Sequence, residues 1–216
     1  MRIFNADGGE VAACGNAARC VADKIMTELG VDMATLETVA GVLEATRDGN
    51  GLVTVDQGPA RVDWWEIPLA RELDTLHIDM SDGGKSVALL TDAVGVNVGN
   101  PHAVFFVDDV QAVDLATIGP ELEHHPLFPE RVNISVAQVR GRDAIRVKVW
   151  ERGVGITSAC GTAACAVAVA GARRDLTDRA VDIQLDGGTL HLVWRDDGHV
   201  LMTGPVSTSF SGVLDD

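Results

Sequence analysis

The chain has 216 residues, 46% of them hydrophobic and 23% charged, which is enough to bury a substantial core in one large domain or two small ones. Its net charge of −15 and lack of any Lys/Arg cluster argue against nucleic acid or an anionic membrane surface as a partner. No apolar run approaches the roughly 20 residues that cross a bilayer, and MRIFNADGGEV lacks a signal-peptide pattern, so the expected location is cytoplasmic.

In chain order, the polar, glycine-bearing segment NADGGEVAA leads to Cys14-Gly15-Asn16. A helical run, NAARCVADKIMTELG, follows and ends at Gly30, a residue suited to a C-cap. Residues 35–60 read as strands around the hairpin signal RDGNG. Strand-like apolar runs over residues 86–110 are broken by Gly99-Asn100-Pro101-His102. Residues 111–124 suggest a short helix interrupted near Gly119-Pro120. FPERVNISVAQV and AIRVKVWERG read as two strands with β-branched alternation. A second glycine-bearing approach, ERGVGITSA, then leads to Cys160-Gly161-Thr162 and the helical run TAACAVAVAGARRD. The chain closes with strands over residues 180–206 around the turn RDDGH.

The second half repeats the first at an offset of 146 residues. Gly9, Ala13, Cys14, Gly15, Ala17, Ala18, Val21 and Ala22 match Gly155, Ala159, Cys160, Gly161, Ala163, Ala164, Val167 and Ala168, and Gly58-Pro59 matches Gly204-Pro205. Chance likeness of two Ala-rich helices explains the Ala matches but not the Cys-Gly and Gly-Pro matches at one offset. The repeated unit is a strand, a thiol-bearing turn, a helix and an antiparallel meander. No linker separates the halves; the division expected is an N-terminal lobe over residues 1–70 and a C-terminal lobe over 71–216, with the last strands returning to the first lobe.

Cysteine spacings of C-x5-C and C-x4-C, without neighbouring His, do not suit zinc, and no oxidising compartment is indicated, so neither a metal nor a disulfide framework is expected. Cys20 and Cys165 fall among Ala and Val and read as buried, inert thiols. Cys14 and Cys160 instead sit at helix N-termini, where unpaired N–H groups and the positive dipole end favour thiolate and lower its pKa. The same amides, beside Gly15 and Gly161, form a cradle for a carboxylate. Two tuned thiols facing one carboxylate-bearing substrate suit inversion at an α-carbon: one removes the proton from one face and the other donates to the opposite face. That scheme demands no cofactor. A two-thiol redox protein is the competing reading of the same pair.

Four ordered blocks, RIFNADGGEVAACGNAARC, GNPHAVFFVDD, FPERVNISVAQV and VWERGVGITSACGTAACAVAVA, resemble the diaminopimelate epimerase family along essentially the whole chain. The resemblance implies an α/β fold of the α+β type. It consists of two pseudo-symmetric lobes, each a mostly antiparallel sheet or barrel wrapped around a central helix, with the active site between them. It implies cofactor-independent interconversion of LL- and meso-diaminopimelate in lysine and peptidoglycan-precursor biosynthesis, with no metal. The partner implied is this small-molecule substrate, with room for a homodimer. By the same resemblance Cys14 and Cys160 are the acid/base pair. Gly15, Asn16, Gly161 and Thr162 hold the substrate carboxylate, and Asn5, Asn100, Asn133, Glu151 and Arg152 hold the rest of the substrate. Arg152 suits bidentate grip of a carboxylate, Glu151 suits an ammonium, and an ordinary Arg152–Glu121 ion pair is the plain alternative. His102 is expected to shape its loop.

Departures from the family pattern are Ala17 and Ala163 in place of glycines, Ala103 in place of a cysteine, and Ile156 in place of an acid. The usual segment ahead of Arg2-Ile3-Phe4-Asn5 is missing, so the first lobe is expected to be truncated, with open sheet edges and weak stability or activity. A related proline racemase or phenazine-pathway isomerase, and an inactive fragment binding through its uncovered edge, are the alternatives.

Overall fold

A computed structural model describes residues 1–4, 8, 10, 11, 15–39, 41–81, 90–208 and 212. A short pair, β1 (Ile3–Phe4) with β2 (Glu10–Val11), precedes helix α1 (Gly15–Leu29). Three antiparallel strands follow, β3 (Met33–Thr38), β4 (Gly41–Arg47) and β5 (Val53–Pro59). The middle of the chain supplies β6 (Ile78–Asp79), β7 (Asp92–Asn97), β8 (Pro101–Phe106), α2 (Leu115–Glu123), β9 (Asn133–Gly141), β10 (Ala144–Glu151) and β11 (Gly155–Thr157). Helix α3 (Gly161–Arg173) and strands β12 (Ala180–Leu185), β13 (Gly188–Trp194) and β14 (His199–Gly204) complete the fold. Strands β3 to β14 form one 12-stranded sheet in the order β3-β4-β5-β14-β13-β12-β10-β9-β8-β7-β6, with β11 added on β10. Its pairs are antiparallel except β8 with β9 and β10 with β12.

Local chemistry sets several element ends. Helix α1 stops at Gly30, whose φ of +65° is left-handed, and the Val31 N–H returns to the Met26 carbonyl at 3.0 Å. Both hairpin signals form turns. Asp48 accepts from the amides of Asn50 and Leu52, and the Gly198 N–H meets the Arg195 carbonyl at 3.1 Å.

Helices α1 and α3 differ in how they are buried. Helix α1 has one buried face, Gly15, Ala18, Arg19, Ala22 and Met26, lying on Leu36, Leu43, Ala45, Val53 and Val55 of β3 to β5. Cys20 lies off that face and is exposed, against the expectation that it is buried. Helix α3 is buried all round from Gly161 to Gly171, as an apolar helix with no polar stripe must be. Its small Ala and Val side chains let β7 to β10 and β12 to β14 close around it, contributing Val96, Val104, Val147, Ile183, Leu192 and Met202 to one cluster. A further cluster packs α2 and residues 67–69 on Phe105, Ile134 and Val136 from the opposite face of the sheet.

Two sequence expectations are corrected here. Helix α2 runs through Pro120 rather than breaking at Gly119-Pro120, because Leu115, Ile118 and Leu122 bury its apolar face and Gly119 lets the Trp150 ring lie against its backbone. FPERVN is not strand until Asn133. The chain turns at Arg131, with φ +61°, and the Arg131 N–H bonds the Phe128 carbonyl at 2.9 Å.

The repeat read from sequence is a repeat of structure. Shifted by 146, α1 begins where α3 begins, and β3, β4 and β5 fall on β12, β13 and β14 to within one residue at their starts. Strands β5 and β14 pair with each other, Val55 opposite Met202 and Asp56 opposite Leu201. Val55 is the equivalent of Leu201 and Asp56 of Met202, so exchanging the repeats maps this ladder onto itself. The pseudo-twofold axis therefore passes through the β5–β14 ladder, and the chain's last strand joins the first repeat's meander.

Candidate active site

The axis brings the two helix starts together. A Cβ placed on Gly161 would lie 3.3 Å from Gly15 Cα and 3.4 Å from the Asn16 amide nitrogen. A side chain at 161 would press on the backbone of the facing helix start, which accounts for Gly after Cys in the second repeat. Beneath the junction lies Met202, fully buried: its Sδ is 3.1 Å from the Gly161 Cβ position and its Cε 2.9 Å from that of Gly15. Sequence reading missed Met202. The Gly204-Pro205 match placed β14 at the repeat boundary but gave no reason to single out a thioether. Asn16 and Ala159 also border a cavity of about 220 Å³ whose other walls include Gly187, Gly188 and Leu190.

Cys160 occupies the N-cap position of α3 in extended backbone, and its carbonyl accepts the Ala164 N–H at 3.1 Å. Its Sγ lies 3.4 Å from Thr162 Oγ1. The expected low pKa does not hold for this thiol. Burial, reinforced by the Glu151 carboxylate, pushes it up to about 12, against the opposing pull of the Thr162 hydroxyl and the Ala163 amide. Desolvation of a thiolate here outweighs the favourable helix end. Cys160 is therefore a thiol at neutral pH. Cys165, one turn further on, is buried as expected, and burial raises its pKa as well.

Glu151 ends β10 and accepts a hydrogen bond from Thr157 Oγ1, a partner the sequence did not suggest. Its carboxylate thus faces the Cys160 thiol. Arg152 follows in the turn to β11. Its N–H donates to Asn133 Oδ1 at 2.9 Å, and its guanidinium donates to the Glu130 carbonyl at 2.8 Å instead of pairing with Glu121. Asn133, buried at the start of β9, donates through Nδ2 to the Pro101 carbonyl at 2.9 Å. It works as a splint joining the Arg152 turn to the Asn100-Pro101 turn, a role invisible in its spacing.

The parallel register of β8 and β9 sets His102 beside Asn133. His102 is fully buried, and its Nε2 lies 2.8 Å from Asn100 Oδ1. Burial, and secondarily the Arg152 charge, hold its pKa near 3. It is neutral at working pH, and with Nε2 protonated it donates to Asn100 and turns that amide's N–H groups away from itself. Ala103 alternates to the opposite face, against Phe105 and Ile134, clear of the site. Ile156 is exposed.

Gly15, Asn16, Gly161, Thr162, Cys160 and Glu151 thus form one continuous group, extended through the Arg152 turn to Asn133, His102 and Asn100. Cys14 and Asn5 lie outside the described residues. Among the described residues no cluster of His, Cys, Asp and Glu could hold a metal ion.

Comparison with known proteins bears on this arrangement. The sequence model of the diaminopimelate epimerase family matches residues 1–62 and 94–209. A diaminopimelate epimerase from Rhodospirillum centenum is 58% identical over 214 residues, covering 99% of this chain and 72% of the relative. Another from Acidiphilium cryptum is 51% identical over 215 residues, covering 100% and 76%. Among solved structures, a phenazine biosynthesis PhzC/PhzF protein from Clostridium difficile superposes with a TM-score of 0.70 at 15% identity, covering 100% of this chain and 78% of that one. A hydroxyproline epimerase from Agrobacterium vitis superposes with a TM-score of 0.65 at 17% identity, covering 94% and 66%. These two share the fold. Sequence identity at about half of all positions, in alignments that span both repeats, carries more: the chain belongs to the diaminopimelate epimerase family.

Proposed function

We propose that this chain interconverts LL- and meso-diaminopimelate by moving the α-proton between Cys14 and Cys160, without a cofactor. The observation that carries the reading is the meeting of the two helix starts at Gly15 and Gly161, with a buried thiol on one of them. A substrate carboxylate seated on the free amides there lies on the pseudo-twofold axis. Its α-carbon is then addressed from two sides by residues that are equivalent in the repeat.

The thiol state of Cys160 supports one direction for the resting form. With Cys160 protonated, Cys14 is the base in the resting form that accepts one epimer. The Cα–H bond breaks, the proton goes to the Cys14 sulfur, and the electron pair is drawn into the carboxylate, where helix N–H groups stabilise it. The Cys160 S–H bond then breaks, and its proton is delivered to the opposite face of Cα. The product leaves Cys14 as thiol and Cys160 as thiolate, the form that runs the reverse reaction. Burial of Cys160 keeps water from the reacting carbon during the transfer, while the thiol exchanges its proton with solvent between turnovers.

The second amino-acid end of the substrate meets Asn100, whose free donors suit a carboxylate, and Arg152, with Asn5 and Asn133 completing the set. Glu151, set against Cys160, favours the thiol and offers an acceptor to the reacting ammonium. We read the chain as two lobes about the β5–β14 ladder and place it in the cytoplasm, where free thiols such as Cys160 and Cys165 persist.

The test is incubation of the purified chain with LL-diaminopimelate in deuterated water. Deuterium is expected at the α-carbon, and Cys14→Ala and Cys160→Ala are each expected to abolish inversion. A folded sample that introduces no deuterium, or a Cys160→Ala variant that still inverts, overturns the proposal.

A further inference from the structure

We propose that Glu123, at the end of α2 and outside the residues assigned above, is a positioning residue for this site: its buried carboxylate fixes the turn that carries Glu151 to Cys160 and Arg152 to Asn133. The proposal deepens the reading just given and rests on it for its catalytic meaning.

Glu123 is the last residue of α2 and is only 4% exposed. A carboxylate that deep requires donors, and it has three. Trp150 Nε1 donates to Oε2 at 2.7 Å, and the Gly153 N–H and Arg131 Nη1 donate to Oε1 at 3.0 and 3.2 Å. Two of the three belong to the segment that bears Glu151 and Arg152. The Arg131 guanidinium is half exposed, so its pairing with Glu123 is the weaker attachment.

The turn needs such a hold. Gly153 has a left-handed φ of +75° and Gly155 one of +104°, and the turn's own closure is the Val154 N–H to Glu151 carbonyl bond at 3.0 Å. Consecutive amides are gripped from opposite sides: Arg152 N–H by Asn133 of β9, and Gly153 N–H by Glu123 of α2. Trp150 completes the clamp, since its ring lies against Gly119, one helical turn before Glu123. Glu151 is therefore bracketed by two residues, Trp150 and Gly153, that both bond Glu123.

A glutamine at this position keeps the volume but has one acceptor oxygen, and its NH2 group would oppose either the Trp150 or the Gly153 donor. The turn must then shift, and Glu151 with it. The readout is the rate of Cys160 alkylation by iodoacetamide at about pH 9 on the full chain, located by peptide mass spectrometry. Among the described residues, the groups acting on this thiol are Glu151 from β10 and Thr162, Ala163 and Cys165 on its own helix. Withdrawing a carboxylate that neighbours the thiol lowers its pKa by about one unit, a rate increase of about tenfold.

Glu123→Gln and Glu151→Gln are each expected to give that increase, and the double variant no more than Glu151→Gln alone. Glu123→Asp, which keeps the charge but withdraws the carboxylate by one methylene, is expected to move the rate in the same direction; a mere field effect would leave it unchanged. Ile118→Val, a core trimming on the same helix, is expected to lower stability without altering the rate. An unchanged rate in Glu123→Gln and Glu123→Asp, or an increase that adds in full to that of Glu151→Gln, overturns the proposal. No substrate enters the measurement, so failure of the deuterium experiment leaves its outcome interpretable.

Discussion

Replacing Gly161 by Ala tests the junction on which the site depends. The added methyl would sit 3.1 Å from Met202 Sδ, 3.3 Å from Gly15 Cα and 3.4 Å from the Asn16 nitrogen. Carbon contacts relax at about 3.5–4.0 Å, so the α1 and α3 starts must part by a few tenths of an ångström. Two of the three neighbours are backbone and cannot rotate away. Overpacking of this kind costs about 1–3 kcal/mol, and the Gly-to-Ala gain in helix propensity returns about 1 kcal/mol. The expected net loss is about 0–2 kcal/mol, which for a chain of this length lowers Tm by up to about 8 °C. On the proposed function activity suffers more, because the methyl would enter the proposed carboxylate cradle and displace its donors; a fall in deuterium incorporation of at least about tenfold is expected. Gly15→Ala supplies the comparison. Its methyl would meet Met202 Cε at 2.9 Å, Gln57 Oε1 at 3.4 Å and Met202 Sδ at 3.5 Å, side-chain atoms that give way more readily than backbone. Thermal unfolding followed by circular dichroism, with the exchange assay, ranks the two. Wild-type stability and exchange in Gly161→Ala, or a larger loss in Gly15→Ala, would refute the reasoning.

Gly119→Ala is expected to destabilise more than Gly161→Ala, because its Cβ would fall 2.4 Å from Cδ2 of the rigid Trp150 ring; a Tm within 2 °C of the parent counts against the helix–ring contact as described, 2 °C being about the effect of the first kcal/mol. The raised pKa values of Cys160 and Cys165 make stability depend on alkaline pH. Between the unfolded thiol pKa of about 8.5 and the folded value the unfolded chain binds fewer protons, so stability falls as pH rises through that window. Tm measured from pH 8 to 11 should decline, and Cys160→Ala should blunt the decline; an identical slope in that variant sinks the assignment of a buried neutral thiol.

How far the site was legible varies residue by residue. The Cys160 environment shows the limit: the helix end was readable and its effect on a thiol correctly signed, yet burial and Glu151 reverse the outcome. Helix position is local; desolvation is a property of everything packed around α3. Cys20 and Cys165 look alike in sequence, but α1 buries one face and α3 all of its faces, so one thiol is exposed and the other sealed. Asn133 and Asn100 were singled out in the sequence, but the partners of Asn133, the Arg152 amide beyond β10 and the Pro101 carbonyl of β8, come from strands brought alongside by the sheet registers, whereas Asn100 meets a ring only two residues on, that of His102. Glu123 and Met202 carried no signal, since a lone acid at a helix end and a Met in a strand are ordinary until their neighbours are known.

The sequence by itself determined the repeat, the two helix starts with their Cys-Gly steps, the Gly30 stop and both hairpin turns. Each of these depends on residues within a few positions of one another, where backbone sterics and turn chemistry act directly. The tertiary structure decided which strand the returning β14 meets, namely β5, that this ladder carries the axis, and that the helix starts meet over Met202. Those outcomes follow from burying apolar faces distant in the chain, a requirement that many local patterns satisfy and only one packing resolves.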